Sequence, residues 1–365
     1  MNELGRLLAQ RIRATGPLTI AEFMTEALLH PRLGYYTTRD PLGARGDFVT
    51  APEISQVFGE LIGLWCADAW EKMGCPARVI LAELGPGRGT LMADALRALK
   101  VAPAFRRALA LHLVEASPAL RAAQRAALAS AEPVWHDSLA TLPDGPLILV
   151  ANEFLDALPI RQLVRGEHAW HERVVTLDGA GEALAFAVDA APSAAAALVP
   201  ATLREAPPGS LSEIRPAALS LAASLGARLR QQGGIALFID YGHGASACGD
   251  TLQALRRHQH HAVLAAPGEA DLTAHVDFAA FAAAAREAGA RAWGPAPQSG
   301  FLAALGMAAR AAALLARATP QQAAAIESGC RRLLDPAEMG TLFKVLALAD
   351  PTLPAPAGLA EEHAP

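Results

Sequence analysis

The sequence predicts an α/β fold with a mostly parallel sheet covered by helices. Two observations carry this. From about residue 76, apolar runs of strand length alternate with helical stretches, and several of the runs end in an acid. Between the first run and its helix stands LAELGPGRGTL at 81–91, with three glycines at alternating positions behind an acid. With 365 residues, 52% of them hydrophobic and 18% charged, the chain can bury a substantial core.

The elements follow in order. MNELGRLLAQRIRATG is amphipathic and predicts a helix over 2–14. Thr19 and Glu22 stand at capping-box spacing and start a second helix. Residues 30–52 are dense in Gly, Pro, Tyr and Asp and predict an ordered loop or a cover. Apolar periodicity then predicts one helix from about Glu53 to Met73, with Thr50 and Glu53 at capping-box spacing. Residues 1–75 are read together as an N-terminal helical and lid segment. The alternation begins with strand ARVILAE, the glycine loop and helix TLMADALRAL. Strand ALALHLVE leads to SPALRAAQRAAL, where Ser117 and Pro118 suit the N-cap and first turn. PVWH is a short strand ending at Asp137–Ser138, and PLILVAN ends at Asn152–Glu153.

Residues 161–190 interrupt the pattern, with two strand-like runs flanking DGAG as a β-hairpin insertion. Residues 191–212 read as a surface connection and 213–231 as a helix. GGIALFIDYG returns to the sheet. ARAWG and TLFKVLALA predict an antiparallel strand pair around a helical insertion at about 297–338. The main domain is expected over 76–348 and a disordered tail over 349–365.

Composition excludes some function classes. A net charge of −5 and a pI near 6.1 give no electrostatic reason for nucleic acid or an anionic membrane as partner. No uninterrupted apolar run reaches the roughly 20 residues of a membrane span. The N-terminus lacks a signal peptide's apolar core, and Glu3 argues against a presequence, so a cytoplasmic location is expected. None of the four cysteines forms a CxxC pair, so no metal site is expected. The run His258, His260 and His261 is read as a solvated loop rather than a metal site.

The glycines Gly85, Gly87 and Gly89, with Pro86 between them, form GxGxG rather than the dinucleotide GxGxxG; Thr90 occupies the place of the third glycine. No GxxxxGK[ST] occurs. Glycines let a ligand approach the backbone, and the helix N-terminus behind them offers N–H groups to a carboxylate. Glu83 suits an ammonium or sulfonium better than a pyrophosphate. S-adenosylmethionine carries carboxylate, ammonium and sulfonium and is the expected cofactor. Glu115 ends the next strand, where an acid can accept both ribose hydroxyls. Asp137, beside Ser138, is placed to receive the adenine amino group; read alone, it is a helix N-cap.

These residues and the blocks GDFVTAPEISQVFGE, NEFLDALP, FIDYG, DTLQA, PGEADLTAHVDF and GTLFKVLAL resemble the MidA-like family, which includes a mitochondrial complex I assembly methyltransferase. The blocks span roughly 18–348 in family order. The resemblance implies a Rossmann-like class I methyltransferase sheet, S-adenosylmethionine as cofactor and protein-arginine methylation, with a respiratory complex I subunit or a bacterial equivalent as target. Carboxylates can orient a guanidinium through paired hydrogen bonds. Glu153 and Asp156, with Asn152, are therefore the candidate catalytic group; alternatively Asp156 only caps a turn. The segment holding Asp47, Thr50 and Glu53 is expected to lie over the cofactor, with Thr50 and Glu53 among its contacts. Asp47, Asp240, Tyr241 and His275 are the candidate substrate contacts. The helical insert offers a surface for a homodimer. The competing functions are an assembly scaffold without turnover and an NAD-dependent oxidoreductase.

Overall fold

A computed structural model describes residues 1–38 and 50–360. The chain forms two compact units. The first comprises Met1–Phe48, Asp156–Ser220 and Ala245–Ala280. The second, here the sheet unit, comprises Val49–Leu155, Leu221–Gly244 and Phe281–Pro365.

Seven strands of the sheet unit pair in the order Arg291–Pro297, Phe343–Ala349, Gly234–His243, Leu147–Asn152, Val79–Leu84, Leu109–Val114, Val134–His136. The last five are mutually parallel, and Phe343–Ala349 runs antiparallel to both of its neighbours. Every residue of Val79–Leu84 and of Leu147–Asn152 is buried, as expected of parallel strands covered on both faces. Alternation divides Gly234–His243 between the two faces. Ile235, Leu237 and Ile239 join the cluster containing Phe58, Ile62 and Trp65, while the Phe238 ring meets Phe281 at 4.7 Å.

The helix expected from Glu53 to Met73 is two helices, Ala51–Ile54 and Gln56–Lys72. Ser55 is extended between them (φ −153°, ψ 126°), and its hydroxyl accepts the Val57 N–H, so the second helix takes its own cap. Gly59 and Gly63 let this helix press on Thr90–Ala98. A Cβ on Gly63 would lie 2.7 Å from the Ala95 Cα.

Four helices, Gln298–Ala304, Met307–Leu315, Pro320–Leu334 and Met339–Leu342, lie between the two antiparallel strands. No single helix among the described residues is long and apolar enough to cross a membrane. The expected disorder of the tail is corrected over 350–360. The Trp65 indole donates to the Ala357 carbonyl, Gly294 N–H donates to Ala360, and Leu359 is buried. Apolar residues spaced through a Pro-rich stretch pack here without any helix or strand.

The first unit holds helices Glu3–Thr15 and Ile20–Leu29, the latter with the expected Thr19–Glu22 capping box. In its five-stranded sheet, Trp170–Leu177 pairs antiparallel with Leu184–Pro192, Arg161–Arg165 and Leu18–Thr19, and Leu211–Ile214 adds to Arg161–Arg165. Leu211–Ile214 corrects the expected helix over 213–231, which starts only at Pro216. Ser212 and Ile214 alternate inward, a period too short to stand out beside the Ala-rich helix. A three-stranded sheet of Gln259–His261, Gln253–Arg256 and Asp271–Thr273 is also present. His260 and His261 thus belong to an edge strand rather than a loop.

Candidate active site

The parallel strands of the sheet unit bring their carboxyl ends to one edge. That edge collects Glu83, Glu115, Asp137, the Asn152–Glu153 pair and Asp240. Chain order reverses between Val79–Leu84 and Leu147–Asn152, the switch point at which open α/β sheets form their ligand crevice. The glycine loop leaves one of these strands and NEFLDALP leaves the other.

Gly85, Gly87 and Gly89 all have positive φ (61°, 53° and 84°), which a residue with a Cβ adopts only under strain. A Cβ on Gly85 would also lie 2.9 Å from the Phe154 ring. The turn after Asn152 therefore rests directly on the glycine loop. Gly85 N–H donates to Val114, and Gly89 caps helix Thr90–Ala98, whose first-turn N–H groups face the loop. Pro86 accepts the Gly89 N–H and closes the turn.

Glu83 is 3% exposed. Its burial, and then the neighbouring Glu115 carboxylate, push its pKa up to about 8. Its Oε2, and the Oδ1 of buried Asn152, have no hydrogen-bond partner among the described residues. Two buried acceptors at the switch point call for a donor, and an ammonium supplies both charge and N–H groups. These residues fit the amino-acid end of S-adenosylmethionine.

Glu115 is held by two donors, the Ser117 N–H at 2.8 Å and Gln124 Nε2 at 3.2 Å. The same Gln124 amide donates to the Gly87 carbonyl, and its Oε1 accepts from the Trp135 indole. The glycine loop, Glu115 and the strand holding Trp135 are thus tied to one fully buried amide. Sequence reasoning missed Gln124: it looks like one more polar residue on an amphipathic helix. Asp137 and Ser138 are exposed. Asp137 pairs with Arg121, which also donates to the Glu115 and His136 carbonyls. Neither Asp137 nor Ser138 makes a contact here with the glycine loop.

The expected capping box of Thr50 and Glu53 does not form. Thr50 makes no side-chain cap, and Glu53 instead accepts from Thr90 Oγ1 at 2.6 Å, at the start of the glycine-loop helix. The Ala51 N–H donates to Glu153 Oε1 at 2.9 Å. The segment is therefore fastened to both sides of the switch point. Glu153 itself has φ 49°, an uncommon conformation for a side-chain-bearing residue, and its Oε1 also accepts from Asn152 Nδ2. The Glu153 N–H donates to the Ile239 carbonyl.

Buried Asp240 accepts the N–H groups of Phe154, Leu155 and Tyr241, so its carboxylate shapes the turn that was expected to meet substrate. Tyr241 packs its ring on Phe343 at 5.4 Å. Asp156 and His275 belong to the first unit. Buried Arg215 gathers them there, donating to the carbonyls of Asp156, Leu158, Ala274 and His275. Asp47 lies outside the described residues.

Residues 61–296 match the family described as "Putative S-adenosyl-L-methionine-dependent methyltransferase". A Drosophila melanogaster relative, the mitochondrial protein arginine methyltransferase NDUFAF7 homolog, is 38% identical over 94% of this chain and 84% of its own length. The Homo sapiens protein arginine methyltransferase NDUFAF7, also mitochondrial, is 36% identical over 94% and 82%. Among solved structures, a Burkholderia thailandensis protein assigned to the methyl transferases and bound to S-adenosyl-homocysteine superposes with a TM-score of 0.83. It is 31% identical and covers 97% of this chain and 93% of its own. The mitochondrial names of the relatives overturn the expected cytoplasmic location, which rested on a short and ambiguous N-terminus. A glycine loop behind a buried acid, at the switch point of a parallel sheet, thus agrees with the matched relatives: the chain belongs to the S-adenosylmethionine-dependent methyltransferases, in the family that includes the NDUFAF7 proteins.

Proposed function

We propose that this methyltransferase modifies an arginine guanidino nitrogen of a protein substrate, a subunit of respiratory complex I or its bacterial counterpart. The observation that carries the site is Glu153. It stands at the switch point in a left-handed conformation, with its carboxylate fixed by Asn152 and by the Ala51 N–H. The relatives named protein arginine methyltransferases support the choice of acceptor.

When bound, S-adenosylmethionine supplies an electrophilic methyl carbon on a sulfonium. The protein's part is alignment, worth on the order of 7–11 kcal/mol in a well-oriented reaction. In this reading Glu83 and Asn152 hold the ammonium, the glycine loop and the Thr90 helix N-terminus hold the carboxylate, and Glu115 holds the ribose. Asp137 and Ser138 serve the adenine end, and Thr50 and Glu53 close the segment over the loop. Glu153 orients the guanidinium and draws its charge away from the attacking nitrogen. Asp240 and Tyr241 shape the acceptor wall of the sheet unit.

Comparative mass spectrometry of the native proteome, with and without this protein, identifies the acceptor. The expected difference is a methylarginine lost on deletion and restored by wild type. Glu153→Gln should bind cofactor with wild-type affinity yet lower kcat at least about 100-fold. Undiminished turnover in this variant removes Glu153 from catalysis. Cofactor binding without a lost methylarginine anywhere supports the scaffold function instead.

A further inference from the structure

We propose that Gln124 is a positioning residue: it sets the Glu115 carboxylate for the paired hydroxyls of the cofactor ribose and makes the site select ribose over deoxyribose. The inference rests on the assignment of Glu115 to the ribose made above. All the residues concerned belong to the sheet unit.

Three positions of one helical turn and its cap converge on Glu115. Ser117 caps helix Pro118–Ala127, and Arg121 and Gln124 follow it at the four- and three-residue steps that share a helix face. The Ser117 N–H donates to Glu115 Oε1 at 2.8 Å, and Arg121 Nε donates to the Glu115 carbonyl at 2.7 Å. The second carboxylate oxygen, Oε2, is held by a side chain, through Gln124 Nε2 at 3.2 Å. Burial raises the pKa of Glu115, and the Ser117 N–H and then the Gln124 amide counter it, so both donors favour the ionised form. An ionised carboxylate only accepts, which is what a pair of hydroxyls requires. Glu115 is half-buried, at the carboxyl edge of the parallel strands. Water could satisfy it there without Gln124. What the Gln124 bond adds is a fixed direction for Oε2.

The Gln124 amide serves only one way round. Its Nε2 donates to Glu115 and to the Gly87 carbonyl at 2.7 Å, while its Oε1 accepts the Trp135 indole N–H at 2.8 Å. Reversed, it would set its oxygen against a carboxylate and a carbonyl, and its N–H groups against an indole N–H. The side chain is fully buried, so no solvent relieves the reversed arrangement. Trp135 is itself braced by the Arg125 guanidinium, 4.7 Å from its ring centroid. One nitrogen therefore joins the glycine loop to Glu115, and the indole fixes which face of the amide that nitrogen occupies.

The test uses the full chain, titrated calorimetrically with S-adenosyl-homocysteine and, separately, with its 2′-deoxyribose analogue. Wild type should favour the ribose ligand about tenfold or more, because the analogue leaves a charged acceptor without its donor. Gln124→Met keeps the side-chain length and removes both donors; it should lower that preference at least about fivefold, with affinity for the analogue changed less than affinity for S-adenosyl-homocysteine. Trp135→Phe releases only the Oε1 end and should lower the preference by less. Equal losses for the two ligands in Gln124→Met would show an amide that serves packing alone and overturn the inference. Preference lost in Glu115→Gln but kept in Gln124→Met overturns it and leaves the ribose assignment of Glu115 standing. Preference kept in Glu115→Gln overturns that assignment and the inference with it. Where Gln124→Met does not fold, preference kept in Trp135→Phe overturns the inference.

Discussion

In the proposed site, Glu83 couples cofactor binding to pH. Without a cation beside it, burial and Glu115 hold its pKa near 8, well above the ordinary glutamate value of 4.5. The folded, ligand-free protein therefore keeps a proton that the unfolded chain releases near 4.5. Its stability contribution falls as pH rises from about 4.5 to about 8. A bound ammonium favours the ionised form, so binding expels that proton. Affinity for S-adenosyl-homocysteine should rise between pH 6 and pH 8, by up to about tenfold per unit. Glu83→Gln should flatten this profile and weaken binding most at the alkaline end. Calorimetry at three pH values checks both; a flat wild-type profile excludes the coupling. At this scale Glu83, the three glycines, Glu115 and Glu153 could be singled out from residue type and neighbours. Gln124 could not, because its value comes from being buried among Gly87, Glu115 and Trp135, which lie on three other elements.

The elements of the sheet unit were legible wherever an apolar run was long. The split at Ser55 was not, since the apolar spacing runs on from Ile54 to Val57 and Phe58 while the backbone turns at Ser55. What the split achieves is tertiary: it lets Ala51 reach Glu153 and Glu53 reach Thr90. The packing of Gln56–Lys72 on Thr90–Ala98 gives a direct test. In Gly63→Ala the new methyl group would meet the Ala95 Cα and carbonyl oxygen at 2.7 Å, and these are backbone atoms that cannot step aside. The better helix propensity of alanine offsets part of the strain. The expected net loss is about 1–3 kcal/mol. Thermal unfolding should show a midpoint lowered by several degrees, and an unchanged midpoint would mean that the two helices separate without cost.

For the molecule as a whole, the C-terminal stretch shows how composition can mislead. Its Pro-rich sequence carries the signature of disorder, yet residues 350–360 cover Trp65 and Phe301 in the sheet unit. Truncation after Ala349 should expose both aromatics and lower the thermal midpoint measurably. A truncated chain as stable as the full one would show that this cover adds nothing. The sequence alone determined the parallel sheet, the glycine loop at its carboxyl edge and the family, because strand period, glycine pattern and acid position are local and survive any packing. Tertiary structure alone decided that Asp240 shapes the turn after Asn152, that Gln124 ties the loop to Glu115, and that Tyr36 donates to Asp271. Those roles depend on burial and on hydrogen bonds between residues 9 to 235 positions apart, and no local pattern encodes either.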